Sequence, residues 1–228
     1  MHGLTRTGAP MVALRLFRAL KDELDVRVVA YQGGPLEQPF REAFPLTVLR
    51  PELPGGSAIG RARVASVGLT WRDWRPDLLY VNTVAALTTA ARLRMANRQG
   101  APVLLHVHEG PVYMAAVERE APGLIGGLPN RYIALSDWVA EALADDFDIE
   151  PGRIATVRSP IGDEWLVAAP VPDPVLTQED RFLVGGSGVP SWMKGTDLWL
   201  LTAAELLKRP GGRDRYRFVW VGAREDDA

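Results

Sequence analysis

The 228 residues can form one large domain or two small ones, and a composition 47% apolar and 24% charged is that of a globular chain with a sizeable core. The absence of cysteine excludes disulfides, thiolate metal sites and cysteine nucleophiles. A net charge of −2 without a basic stripe argues against a nucleic-acid partner, and no apolar run approaches the roughly 18 residues of a transmembrane candidate.

In chain order, the apolar residues Met11, Leu14, Leu16, Phe17 and Leu20 form a helical stripe within 9–24. Val26 to Tyr31 reads as a strand ending at Gly33-Gly34-Pro35, and Leu46 to Leu49 as a second, short one. A helix is expected over 58–71, a strand over Leu78 to Val81 and an alanine-rich helix over 83–98. Val103-Leu104-Leu105-His106-Val107 is a continuous apolar run, the pattern of a strand buried on both faces. Arg131 to Leu135 is another strand, and Ser136 is placed to cap a helix that reaches about Asp146. Ile154 to Val157 is a further strand. Pro160, Pro170, Pro172 and Pro174 then mark a linker over 159–180. Phe182-Leu183-Val184, a helix over 197–208, a Pro-Gly-Gly turn and a strand over Tyr216 to Val221 complete the sequence. Short strands alternating with helices predict an α/β fold with a doubly wound, Rossmann-like parallel sheet, followed by an incomplete second Rossmann-like domain. Only six residues precede the helix-opening Thr7, so either the usual first strand is missing from the sequence or the true start lies upstream.

Four segments carry chemistry. Thr7-Gly8-Ala9-Pro10 opens a helix, where backbone N–H groups and the dipole favour a phosphate; proline at the first helical position explains the same residues without a ligand. His106-Val107-His108-Glu109 lies at the carboxyl end of a buried strand, where open parallel sheets bind ligands. Alternation puts His106 and His108 on one face and Glu109 on the other. A metal site on those three residues is the weaker reading, because the one further histidine is His2. Asn82-Thr83 closes the preceding strand, and polar residues at two adjacent strand ends outline a cleft; helix capping is the plainer explanation for both. Gly185-Gly186-Ser187-Gly188, with Lys194-Gly195, is a phosphate-binding candidate that matches neither the Walker nor the Rossmann spacing. Lysine occurs only at positions 21, 194 and 208 in a chain that otherwise uses arginine. Residues 1–120 carry 15 basic and 11 acidic side chains, and residues 121–228 carry 11 and 17. That asymmetry suits weak peripheral association with an anionic membrane surface, and ordinary scatter explains it equally well.

Thr5 to Pro10, Tyr31 to Leu36, Tyr80 to Thr83, His106 to Glu109, Ile133 to Ser136 and Gly185 to Gly195, in this order, resemble the GT-B glycosyltransferases of family four. Phe218 to Gly222 is similar to the next strand of that family's nucleotide domain. The resemblance implies two Rossmann-like domains facing across a cleft and transfer of a sugar from a nucleotide-sugar, with retention and without an essential metal or cofactor. On it, Thr7, Gly8 and Ala9 lie against the donor diphosphate, together with Gly186, Ser187, Gly188, Lys194 and Gly195. Lys194 neutralises the leaving group, and His108 is the second catalytic candidate. Asn82, Thr83, His108 and Glu109 line the sugar and acceptor side. The implied organisation is an acceptor-side domain over 1–158, the linker over 159–180 and the first strand–helix–strand unit of the nucleotide-sugar domain over 181–228. Implied partners are the nucleotide-sugar, a glycan or lipid-linked acceptor and a second polypeptide that completes the second domain. Cytoplasmic polysaccharide biosynthesis, at the inner face of the membrane, is the expected setting; Met1 to Arg6 lacks the apolar core of a signal peptide.

The sequence departs from the family pattern in three places. Gly188 stands where a basic residue often lies, the first strand is not evident, and the paired glutamates that orient the donor belong beyond Ala228. Little or no transferase activity is therefore expected of the chain alone, and a non-catalytic acceptor- or partner-binding module is the alternative.

Overall fold

In the computed structural model the described residues are 1–49, 75–97, 100–160 and 181–222. The helix expected over 58–71 and most of the proline-rich linker lie outside them. The chain divides into two compact units, Met1–Leu166 and Val167–Ala228.

The first unit contains two parallel sheets. In the smaller, β1 (Val28–Ala30) pairs with β2 (Leu46–Val48). Helix α1 (Gly8–Ala19) precedes β1, and α2 (Glu37–Ala43) joins the two strands. Met1 to Leu4 run alongside β1's continuation, with one parallel bridge between Gly3 and Gln32. Tyr31 N–H donates to the Met1 carbonyl and Gln32 N–H to the His2 carbonyl, both at 2.9 Å. This short segment stands where the sequence reading finds no strand, and Leu4 is fully buried there. Leu4, Leu14, Val28, Ala30, Leu36, Phe40 and Phe44 form this unit's smaller core. Gly34 is needed for close approach, since a Cβ there would sit 2.5 Å from the Leu4 carbonyl oxygen.

The larger sheet has the order β3-β4-β5-β6, all parallel: Leu79–Asn82, Val103–Val107, Arg131–Ala134 and Ile154–Thr156. Crossovers run through α3 (Leu87–Asn97), α4 (Pro111–Glu120) with the single turn α5 (Leu124–Gly127), and α6 (Asp137–Phe147). Ser136 caps α6 as the sequence predicts, its Oγ accepting from Val139 N–H at 3.3 Å. Val81, Val103, Leu105, Val107, Tyr132 and Ala134 share one core with Leu87, Met114, Ile125 and Leu143 of the crossover helices. The period of two then sends Tyr80, Asn82 and His106 to the opposite face. There Phe17 of α1 meets Tyr80 edge-on, with ring centroids 4.9 Å apart. A parallel sheet covered on both faces needs this apolar filling.

The second unit is β7 (Phe182–Ser187), α7 (Thr196–Lys208), the short α8 (Gly212–Arg215) and β8 (Tyr216–Val221). The two strands pair in parallel, from Phe182 opposite Tyr216 to Ser187 opposite Val221. The ladder corrects one sequence expectation. Gly185, Gly186 and Ser187 are strand residues, not turn residues, and the turn begins at Gly188. Gly186 is a packing glycine: a Cβ would lie 2.3 Å from Trp220 Cε3. Trp220 in turn packs edge-on against Trp199 of α7, centroids 5.5 Å apart.

Gly186→Ala overfills this contact and is expected to cost about 1–3 kcal/mol. Gly185→Ala, whose added methyl meets no atom within 4 Å, should cost much less. Urea unfolding of the two variants, followed by tryptophan fluorescence, checks the difference; equal midpoints would refute the packing role of Gly186.

Candidate functional site

The polar residues of the first unit converge at the carboxyl ends of β3 and β4, the side on which open parallel sheets bind ligands. Asn82 is the last residue of β3 and lies opposite His106 in the ladder. His106 and His108 extend from β4 on one face, as alternation predicts, and their rings lie tilted against each other, with centroids 4.1 Å apart at 37°. His108 Nε2 lies 3.0 Å from Asn82 Oδ1, so the ring donates to the amide oxygen when Nε2 carries the proton. Tyr80 is two residues before Asn82 and therefore on the same face; its hydroxyl hydrogen-bonds His106 Nδ1.

Glu109 turns the other way, into the start of the segment after β3. Its Oε2 accepts from the His108 N–H at 3.1 Å and the Val84 N–H at 3.3 Å. The Thr83 hydroxyl is beside the same carboxyl. One carboxylate thus ties the loop after β4 to the loop after β3. Between them Thr83 adopts φ +84°, a conformation costly for a β-branched residue. Thr83 is held there from both sides: its N–H donates to the His106 carbonyl at 3.0 Å and its carbonyl accepts from Ala86 N–H at 3.1 Å. Strain maintained in this way is a feature of ligand sites.

Burial governs the electrostatics. It pushes His106 down to about 4, and His108 to about 3 with a smaller contribution from His106 beside it. Both imidazoles are neutral at pH 7. Burial raises the Tyr80 hydroxyl, which stays protonated and serves as a donor. Burial also raises Glu109, partly opposed by the backbone N–H groups that favour its ionised form. Asn82 Nδ2 and His106 Nε2 are buried without a hydrogen-bond partner among the described residues. Unpaired buried donors of this kind cost about 1–3 kcal/mol each. Among the described residues no group of three His, Asp or Glu side chains is arranged to hold a metal.

Thr7, Gly8 and Ala9 open α1. Thr7 has the extended backbone of an N-cap, but its side chain caps nothing and instead shares a 2.9 Å hydrogen bond with the Thr5 hydroxyl. The first-turn N–H groups of α1 are therefore uncapped by a side chain, and the space around Gly8 is open. In the second unit, Gly188 has φ +124° and carries the stem of Lys194 across it, with Lys194 Cγ and Cδ 3.5 Å from where a Cβ would be. The lysine stem would be in ordinary contact with a Cβ at 188, so it is the positive φ that favours glycine there. Gly195, φ +66°, follows the Trp192–Lys194 turn and starts α7.

Sequence reasoning selected Asn82, Thr83, His108 and Glu109, and the structure brings these four together. It missed Tyr80, whose period-two spacing from Asn82 was the available signal. It also missed Gly110 and Trp138, which touch across the starts of α4 and α6; nothing local in the sequence pairs them.

The Glycosyltransferase Family 4 model matches residues 6–165. No curated protein matches the chain significantly. Among solved structures, HepE of Anabaena in complex with UDP and glucose is 20% identical, with a TM-score of 0.66 over 95% of this chain and 58% of that one. The same protein with UDP-glucose gives 20% identity and 0.65, over 96% and 59%. The apo lipopolysaccharide outer core galactosyltransferase WaaB gives 13% and 0.61, over 97% and 59%. The chain thus spans about three-fifths of the length of these neighbours, and at such identities the likeness establishes the GT-B fold alone. With the family model covering most of the first unit, the chain belongs to glycosyltransferase family 4.

Proposed function

We propose that this chain supplies the acceptor-side domain, and one phosphate-facing turn of the donor side, of a retaining glycosyltransferase. The enzyme transfers a hexose from a nucleoside-diphosphate sugar to a glycan or lipid-linked acceptor, in polysaccharide biosynthesis at the cytoplasmic face of the membrane. The observation that carries this reading is the Asn82–His108–Glu109 cluster at the carboxyl ends of β3 and β4. HepE, bound to UDP and UDP-glucose, and the galactosyltransferase WaaB support the substrate class.

The roles follow from charge and protonation. Loss of a nucleoside diphosphate builds negative charge, and Lys194 with the backbone N–H groups of the Thr7-Gly8-Ala9 and Gly186-to-Gly195 segments would stabilise it without a metal. His108 is a poor general base, because an imidazole that protonates only near pH 3 takes a proton from a hydroxyl weakly. Its role is that of a neutral hydrogen-bonding ring that positions a sugar. Glu109 spends its carboxylate on the loop backbone and keeps the two strand ends in register.

A second reading has its own support. Phe182, Trp192, Leu198 and Leu201 of the second unit are all more than 60% exposed, a surface suited to further chain packed against it. On that reading the chain alone is a binding module, weakly active or inactive, that a second polypeptide completes. Turnover of a nucleotide-sugar by the chain, alone or with a polypeptide that covers that surface, supports the enzyme reading; no turnover in either case supports the binding module.

Calorimetric titration of the chain with UDP-glucose is expected to show binding, and Lys194→Ala to weaken it about 10- to 100-fold through loss of a charged hydrogen bond. Unchanged affinity in that variant would remove Lys194 from the site. The histidines give a second test. Their folded pKa values lie below the unfolded value near 6.5, so protons favour the unfolded state as pH falls from about 6.5 toward 4. Each should cost about 1 kcal/mol of stability by pH 5, after allowance for water at the site. Proton NMR of the chain's three histidines should show two imidazoles that stay neutral down to pH 5; titration of both near 6.5 would contradict the buried arrangement.

A further inference from the structure

The surface beside the site carries large apolar side chains that the transfer chemistry does not use. Val112 and Tyr113 lie in the first turn of α4 and are 70% and 41% exposed; Trp138 lies in the first turn of α6 and is 61% exposed. Both helices begin where β4 and β5 end, in the same layer as His108 and Glu109. The Trp138 ring is set against the backbone of Gly110, since a Cβ there would be 3.0 Å from Cζ3 and Cη2. Gly110 directly follows Glu109 and accepts from Tyr113 N–H at 3.1 Å, so the two aromatics flank the one loop. Tyr113 is near enough to Glu109 for that charge, after burial, to raise the phenol pKa. Next to Trp138, Asp137 is neutralised by Arg158 at 2.9 Å.

The chemistry of this surface is specific. A flat aromatic face adjoins a neutral imidazole, an amide and a carboxylate, all suited to hydroxyl groups. A pyranose ring has a matching division, with axial C–H groups on one face and hydroxyls around its rim. A phosphate would meet the Glu109 carboxylate, and a lipid chain or apolar helix would desolvate the polar groups without replacing their hydrogen bonds. We propose that Trp138, with Tyr113, forms a stacking platform for a pyranose ring of the acceptor glycan, whose hydroxyls turn toward His108. Val112 borders the platform, and Gly110 exists as glycine so that the indole can lie flat beside the loop. This subsite rests on the glycosyltransferase reading for its place in the reaction, but its binding chemistry can be measured without the donor.

The experiment is saturation-transfer NMR on the whole chain, with the methyl pyranosides of glucose, galactose and mannose as probes and no nucleotide present. Saturation is expected to reach the ring C–H protons of at least one probe. Trp138→Ala should weaken that binding about five- to tenfold, the effect of losing one aromatic contact. Trp138→Phe should restore most of it, and Trp192→Ala, which removes an exposed tryptophan of the second unit, should leave it unchanged. Equal saturation in wild type and Trp138→Ala, or none with any probe, overturns the platform. So does a Trp138-dependent fluorescence shift with phosphatidylglycerol vesicles in the absence of sugar binding, which would assign the surface to a membrane. Failure here leaves the UDP-glucose titration untouched, and failure of that titration leaves this one untouched.

Discussion

The pairing of β3 with β4 is the constraint on which the site depends. Asn82 lies opposite His106 in that ladder, and the register places Tyr80, Asn82, His106 and His108 around it. A shift of one residue would turn Tyr80, Asn82 and His106 into the core and bring Val81, Leu105 and Val107 to the ligand side. The apolar filling of one face therefore specifies the polar arrangement of the other. Burial of Leu105 and Val107, both fully inaccessible, is as much a part of the site's construction as the histidines are.

The same economy appears in the glycines. Gly110 and Gly186 each lack a side chain where another residue crowds the space: the Trp138 ring and the Trp220 ring. At Gly188 it is backbone freedom that is required, with φ +124°. A glycine-rich segment thus serves two unlike purposes within four residues. Gly186 lets two tryptophans pack behind the strand, and Gly188 lets the backbone turn at its end. Composition marks both as glycine and cannot separate them.

Burial sets the charge state of this cluster. Burial keeps His106 and His108 uncharged, keeps the Tyr80 phenol protonated and works against ionisation of Glu109. Such a surface discriminates by hydrogen-bond geometry instead of by charge, which suits a hydroxyl-rich ligand. The formal cation proposed for the diphosphate, Lys194, lies in the other unit, at the carboxyl end of β7.

Much of this was legible in the residues alone, and the reason is periodicity. Val103–Val107 is the strand predicted, because a continuous apolar run fits no exposed element, and so is Tyr216–Val221, apolar but for Arg217. Ser136 announces α6 by its cap. By contrast α2, α4 and α5 went unread. Glu37–Ala43 is only two turns long and follows Gly-Gly-Pro, while Pro111–Glu120 begins without a Ser, Thr, Asn or Asp cap and has a weak apolar stripe. The strand content of Gly185-Gly186-Ser187 was hidden because glycine reads as a turn until a partner strand supplies the ladder. By itself the sequence determined the alternation of strands and helices, and the residue types at the strand ends, because these depend on neighbours a few positions apart. The contacts of Tyr80 with His106, His108 with Asn82 and Trp138 with Gly110, and the positive φ of Thr83, were decided only by tertiary structure. Each joins residues on different strands or helices, and the free energy that holds them comes from the packing of the whole sheet.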